Sequence, residues 1–223
     1  MDSTTLQVLG VCTAIIIPLL FVAAVIKDKS SRHIILFFCW GTLTGFLAFI
    51  GNGIFSGAWS LGMAPEERLP TAIAPIVEEF LKALPLLLLL NQKKHPHIGM
   101  SVVYCALASG AGFSVQETIF YFSMSQGTAP DLLVLIIRTL TTALMHGMAT
   151  GIFGLGLMIL QKQRHILLPV IFGLLAVSTS IHALFNLLLP TNAAIIAMLI
   201  PVGLYLAGLA VLAGMTGPET GSE

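Results

Sequence analysis

Apolar residues fill long, nearly unbroken blocks of this chain, and polar residues gather in the short gaps between them. A bilayer core about 30 Å thick is crossed by roughly 20 apolar residues in helical form. On that ruler the pattern predicts seven helices, at roughly 5–26, 34–57, 70–91, 98–124, 131–160, 166–190 and 193–214. The blocks are continuous rather than alternating in strands of about ten residues, which excludes a β-barrel. The expected fold is an all-α polytopic membrane bundle of about seven transmembrane helices. No low-complexity linker or internal repeat divides it, so one membrane-embedded domain is expected over 1–214, with a short polar tail at 215–223.

Composition agrees. Of 223 residues, 57% are hydrophobic and 9% are charged, with a mean hydropathy of +0.97. Soluble domains carry about 25% charged residues, so this chain cannot build a water-facing surface. Disorder and coiled coil are excluded by the same numbers. Ten Lys and Arg balance ten Asp and Glu, leaving no basic field for nucleic acid. Cys12, Cys39 and Cys105 lie inside apolar runs without CxxC spacing, and are expected to be small buried hydrophobes. Met1-Asp2-Ser3 lacks the basic start of a cleaved signal, so the first block is expected to stay as a helix.

Positive charge sets a direction. Lys27, Lys29, Arg32, Lys93, Lys94, Lys162 and Arg164 fall in the first, third and fifth loops; the other side has Arg68, beside Glu66 and Glu67. The positive-inside rule then predicts an N-terminus outside, a cytoplasmic C-terminus, and cytoplasmic loops at 27–33, 92–97 and 161–165 of a cell-membrane protein. His33, His95, His97 and His165 belong to those basic ends and are expected at headgroup level. Small residues four apart (Gly41 and Gly45, Ala106 and Gly110, Ala108 and Gly112, Gly147 and Gly151) mark close helix contacts and place helices 4 and 5 at the centre.

Ionisable groups inside apolar spans are costly, about 2.5–3.5 kcal/mol each on insertion scales, and usually mark function. Here they are Glu78, Glu79 and Lys82 in helix 3, Glu117 in helix 4, Arg138 and His146 in helix 5, and His182 in helix 6, with Asn186 one turn further. Helices 1, 2 and 7 carry none. At 1.5 Å per residue, Glu78 and Glu79 lie roughly 12–14 Å below the outer face, Glu117 roughly 10 Å, and His182 and Arg138 about as far. His146 counts deeper, near mid-membrane. Glu78 and Lys82 stand four apart, Glu first, the favourable order for an ion pair, with Glu79 turned about 100° away. Pro75 and Pro85 bracket this segment and free the carbonyls of Thr71 and Leu81. Taken singly, each group has a structural reading, as an ion pair, counter-ion or hydrogen-bonded core histidine. Three Glu and two His on four consecutive helices point instead to a cleft.

Four motifs stand in register: Glu78-Glu79-Phe80-Leu81-Lys82 (EExxK), Phe113-Ser114-Val115-Gln116-Glu117 (FxxxE), His146, and His182-Ala183-Leu184-Phe185-Asn186 (HxxxN). In this order, over residues 70–190, the chain resembles the PrsW family of intramembrane proteases, related to type II CAAX prenyl endopeptidases and bacterial CAAX-protease-like proteins. The resemblance implies an intramembrane endopeptidase acting on a membrane-bound protein substrate such as an anti-sigma factor. It implies catalytic roles for Glu78, Glu79, Glu117, His146 and His182. The wider superfamily also contains a non-catalytic scaffold subunit of gamma-secretase.

Peptide hydrolysis needs an activated water and a stabilised oxyanion. In a metal scheme, Glu117, His146 and His182 bind Zn²⁺, and Glu78 or Glu79 is the base. In a glutamic scheme a carboxylate and a His activate water directly, and Asn186 or Arg138 steadies the oxyanion; Lys82 supports either. No HExxH helix occurs. The alternatives are an ion- or proton-coupled transporter or channel, for which polar residues should spread through the whole membrane depth, and a non-catalytic scaffold. The bilayer and a membrane-protein substrate are the expected partners, and nucleic acid is not.

Overall fold

A computed structural model of the chain describes residues 3–25, 31–59, 73–90, 99–124, 132–160 and 164–215. Among them are seven α-helices and no strand: α1 (Ser3–Val25), α2 (Ser31–Trp59), α3 (Ala74–Leu90), α4 (Met100–Met124), α5 (Leu132–Leu160), α6 (Leu167–Leu188) and α7 (Ala194–Met215). A 3-10 turn at Arg164–Ile166 leads into α6. These are the seven blocks read from the sequence, with ends moved by a few residues. Five of them, α1, α2, α5, α6 and α7, are long and apolar enough to cross a membrane. The described part of α3 is too short at 17 residues, and α4 is too polar.

The reason lies in the packing. α4 is the central helix, and every residue from Cys105 to Val115 is buried. A helix surrounded by protein needs no continuous apolar surface for lipid, so it can carry Ser109, Ser114 and Thr118, all buried. The peripheral helices turn side chains such as Leu20, Ile54, Leu168 and Ile195 outward, as a lipid-facing surface requires.

Glycines set the spacing around α4. A Cβ on Gly41 would fall on the Ser109 carbonyl, one on Gly112 on the Phe38 carbonyl, and one on Gly110 on the His146 carbonyl. Within a bilayer, where no hydrophobic effect separates helix from lipid, such backbone contact is the main source of association. The contacts also fix direction. Gly110 meets His146 while Ala106 meets Gly154, so α4 and α5 are antiparallel. Phe38 meets Gly112 while Phe49 stacks on Phe120 at 3.8 Å, so α2 and α4 run parallel.

Of the three cysteines, Cys105 is buried as expected, whereas Cys12 and Cys39 are exposed. Apolar side chains in a membrane face lipid as readily as the interior, so an apolar run does not by itself mark burial. His33 and His165 are exposed at helix ends, as expected. Lys27, Lys29, Arg68, Lys93, Lys94 and Lys162, which with Arg32 and Arg164 carry the orientation argument, lie outside the described residues, as do His95, His97 and residues 216–223.

Candidate active site

Helix direction explains how the polar residues meet. Side chains on an α-helix lean toward its N-terminus. α3 and α5 begin at the end of the bundle where α4 and α6 finish, so Glu78, Glu79 and His146 lean toward that end while Glu117 and His182 lean away from it. Neighbours on opposed helices are thereby brought together across about one turn. His146 keeps the backbone depth expected for it, level with Gly110, but its ring does not stay there. Its ring centroid is 4.6 Å from that of His182 and 4.9 Å from that of Phe113, so the two imidazoles share one layer. The His146 backbone is about as far from the start of α5 as Gly110 is from the end of α4; the opposed lean of the side chains, not a shift of α5, brings its ring into the layer of His182.

At the closed end of the layer sits Lys82, fully buried. Its Nζ donates to Glu79 Oε1 at 2.6 Å and lies 2.7 Å from His146 Nδ1, with the Phe113 ring centroid at 4.2 Å. The ion pair of α3 is therefore Glu79–Lys82, not the expected Glu78–Lys82. Both spacings bring side chains together; what decides is that Lys82 points inward, toward α5, while Glu78 faces α2 and α6. Glu79, 1% exposed, also accepts from His182 Nδ1 at 2.9 Å. That bond leaves Nε2 as the free nitrogen of His182, 3.6 Å from Glu78 Oε2. Glu78 is held from the other side by Asn52 Nδ2, which donates to its Oε1 at 3.3 Å.

His146 is bonded at both nitrogens, to Lys82 through Nδ1 and to the Glu117 carboxylate through Nε2. An ammonium donating to Nδ1 makes the Nε2–H tautomer the one that donates to Glu117. Glu117 is the most open of the three carboxylates, with 31% of its side chain exposed against 13% for Glu78.

The wall of this site depends on the prolines. Pro85 removes the N–H that would bond the Leu81 carbonyl. Trp40 Nε1, from α2, donates to that carbonyl at 3.1 Å. Ser109 Oγ, from α4, donates to the Lys82 carbonyl at 3.1 Å. The α3 backbone is thus pinned from two sides at the motif. Thr71, the counterpart freed by Pro75, lies outside the described residues.

Two expected site residues stand apart. Arg138 has no described carboxylate within ion-pair distance and reaches Glu117 only through its longer-range field; its guanidinium carbon lies 3.5 Å above the Tyr121 ring. Asn186 is half-buried one turn from His182 and makes no hydrogen bond to a described residue. Asn52, Trp40 and Tyr121 were not singled out from the sequence. Asn52, a polar residue between Gly51 and Gly53 in an otherwise apolar helix, was a readable signal.

Among the described residues, the group with ligand atoms within 4.8 Å of one another is Glu78, His146 and His182, with Glu78 where Glu117 was expected. Two imidazoles and a carboxylate suit zinc. A family model described as PrsW family intramembrane metalloprotease matches residues 29–215. The chain belongs to that family. The PrsW assignment makes it a multi-pass membrane hydrolase and decides against the transporter or channel. No curated protein and no solved structure matches the chain. The donor set fits the metal the PrsW description implies: His182 offers a free Nε2 oriented through Nδ1 by a carboxylate, the arrangement typical of metal-ligating histidines. Ligation by His146 needs one of its two bonds to open, and the partly exposed Glu117 is the freer partner.

Proposed function

We propose that this PrsW protein is an intramembrane endopeptidase that cuts a membrane-bound protein substrate, of the anti-sigma-factor kind, at the end of the bundle where α3 and α5 begin. The positive-inside pattern makes that the outer face. The observation that carries the reading is the difference between the two adjacent glutamates. Glu79 is sealed and spends its charge on Lys82 and His182, whereas Glu78 is partly open beside the free nitrogen of His182. Glu79 is then a positioning residue, and the reacting groups are Glu78, His182 and Glu117.

Glu78, His146 and His182 would hold the metal, which when bound supplies a Lewis acid and an ionised water near neutral pH. Glu117 lies outside that donor set with its carboxylate in the cleft, and serves as the base that takes the proton from the attacking water. Lys82 pairs with Glu79, and Glu79 keeps the His182 ring turned to the cleft. Asn52 holds Glu78 from behind.

The test is cleavage of a single-span membrane protein by purified protein, with metal analysis of each variant. Glu78→Gln and His182→Ala should lose both cleavage and bound zinc. Glu117→Gln should lose cleavage by about 10²–10⁴-fold and keep zinc. Wild-type cleavage matched by Glu78→Gln refutes the assignment, and a folded wild type that cuts nothing returns the scaffold reading. One observation favours the glutamic scheme as a second reading: both nitrogens of His146 are already bonded within the protein. In that scheme Glu78 activates water directly, and chelator leaves cleavage unchanged.

A further inference from the structure

Arg138 is a half-buried cation on an apolar helix; no described carboxylate lies within ion-pair distance of it, and Glu117 is the described carboxylate it acts on from further away. Stacking on Tyr121 offsets only part of what an arginine costs in such a span. It also leaves the donor edge of the guanidinium free for a planar, two-oxygen acceptor. The residue does not belong to the lipid-facing side of α5. Ile137 and Leu140, on other faces, are exposed, whereas Leu135, Thr142 and Met145, on the same face as Arg138, are buried; on that face it is Val134, one turn nearer the start of α5, that is exposed. Tyr121 lies one turn beyond Glu117 on α4, so the pair stands just outside the reacting groups, toward the mouth.

The register is measurable. Arg138 precedes His146 by eight residues on α5, or about 12 Å along the axis. A peptide in extended form advances about 3.3 Å per residue, so this is a span of three to four residues. Two partly open carboxylates, Glu78 and Glu117, line the cleft below, which would repel an acidic substrate side chain there; Arg138, on the mouth side of Glu117, presents the opposite sign.

We propose that Arg138, braced by Tyr121, is a specificity residue that binds an acidic side chain of the substrate three or four residues from the cut bond. This rests on the endopeptidase reading and names the substrate class it accepts.

The test uses the full-length protein in detergent micelles and a mixture of synthetic peptides varied to Asp, Glu, Ala or Lys at each position, with products sequenced by mass spectrometry. Wild-type products should be enriched about tenfold in Asp or Glu three or four residues from the cut, and Arg138→Gln should lose that enrichment. Arg138→Glu should invert it toward Lys and Arg, which a merely structural arginine would not do. Tyr121→Leu is a second variant that keeps the charge, and should weaken the acidic preference through KM. Cleavage by wild type without acidic preference, or an unchanged preference in Arg138→Glu, overturns the proposal while the protease reading stands. So does a dependence of Arg138 variants on phosphatidylglycerol vesicles in place of substrate charge, which assigns the arginine to a lipid phosphate. No cleavage by wild type overturns the protease reading and this proposal together.

Discussion

Replacing Lys82 by Met keeps the length of the side chain and removes its charge from a fully buried position. Glu79 then stays 1% exposed with no cation beside it, and His146 Nδ1 loses its donor. At the 2.6 Å separation of the pair, the direct attraction is about 6 kcal/mol for an effective dielectric of about 20. Much of that is offset by the cost of burying both charges, so the observable is the penalty for leaving one partner alone, about 3–5 kcal/mol. For a chain of this size 1 kcal/mol corresponds to about 2–4 °C, which puts the fall in Tm at about 6–20 °C. The assay is thermal unfolding of purified protein in a fixed detergent, with Glu79→Gln and the double variant Glu79→Gln/Lys82→Met beside it. Removing both charges leaves neither uncompensated, so the double variant should be more stable than the sum of the single losses predicts, by at least about 1 kcal/mol. Strict additivity, or a Lys82→Met protein melting within about 2 °C of wild type, would refute the idea that this pair carries buried opposite charges.

Gly110→Ala should push α5 away from α4: the added Cβ would lie 2.5 Å from the His146 carbonyl carbon, so the backbone must retreat by about 1 Å. A displacement of that size can cost about 10²-fold in turnover, whereas Gly173→Ala, with open space around it, should match wild type in the same assay. Trp40→Phe should destabilise by about 1–3 kcal/mol by orphaning the Leu81 carbonyl; in a Pro85→Ala background, where that carbonyl regains its helical partner, the penalty measured by thermal unfolding should shrink. Asn52→Leu should lower cleavage by at least tenfold through loss of the donor that holds Glu78, with Tm changed little; full activity in that variant would remove Asn52 from the site.

Long apolar blocks are a local property, and they determined the seven helices, their approximate ends and the membrane class, because in lipid each segment must satisfy its own backbone groups. The cost of charge in lipid likewise made the chemistry-bearing residues readable one by one, and the order EExxK, FxxxE, His146, HxxxN was enough for the family. Which of those residues touch was beyond it. Glu78 and Glu79 are adjacent in the chain and identical in type, yet one is locked between Lys82 and His182 and the other opens beside Asn52 and the free nitrogen of His182. The meeting of the His146 ring with Glu117 and His182 could not be counted from a helix end: its backbone lies deeper, level with Gly110, and the ring reaches the layer because α4 and α5 are antiparallel and their side chains lean toward each other. Trp40 reads as an ordinary member of an apolar helix and Asn52 only as a polar residue out of place, because their partners are groups 41 and 26 residues away that folding brings within hydrogen-bonding distance. Helix formation and membrane placement follow from short stretches of sequence; pairing, stagger and side-chain partners follow from the contact of one helix with another, and those belong to the tertiary structure alone.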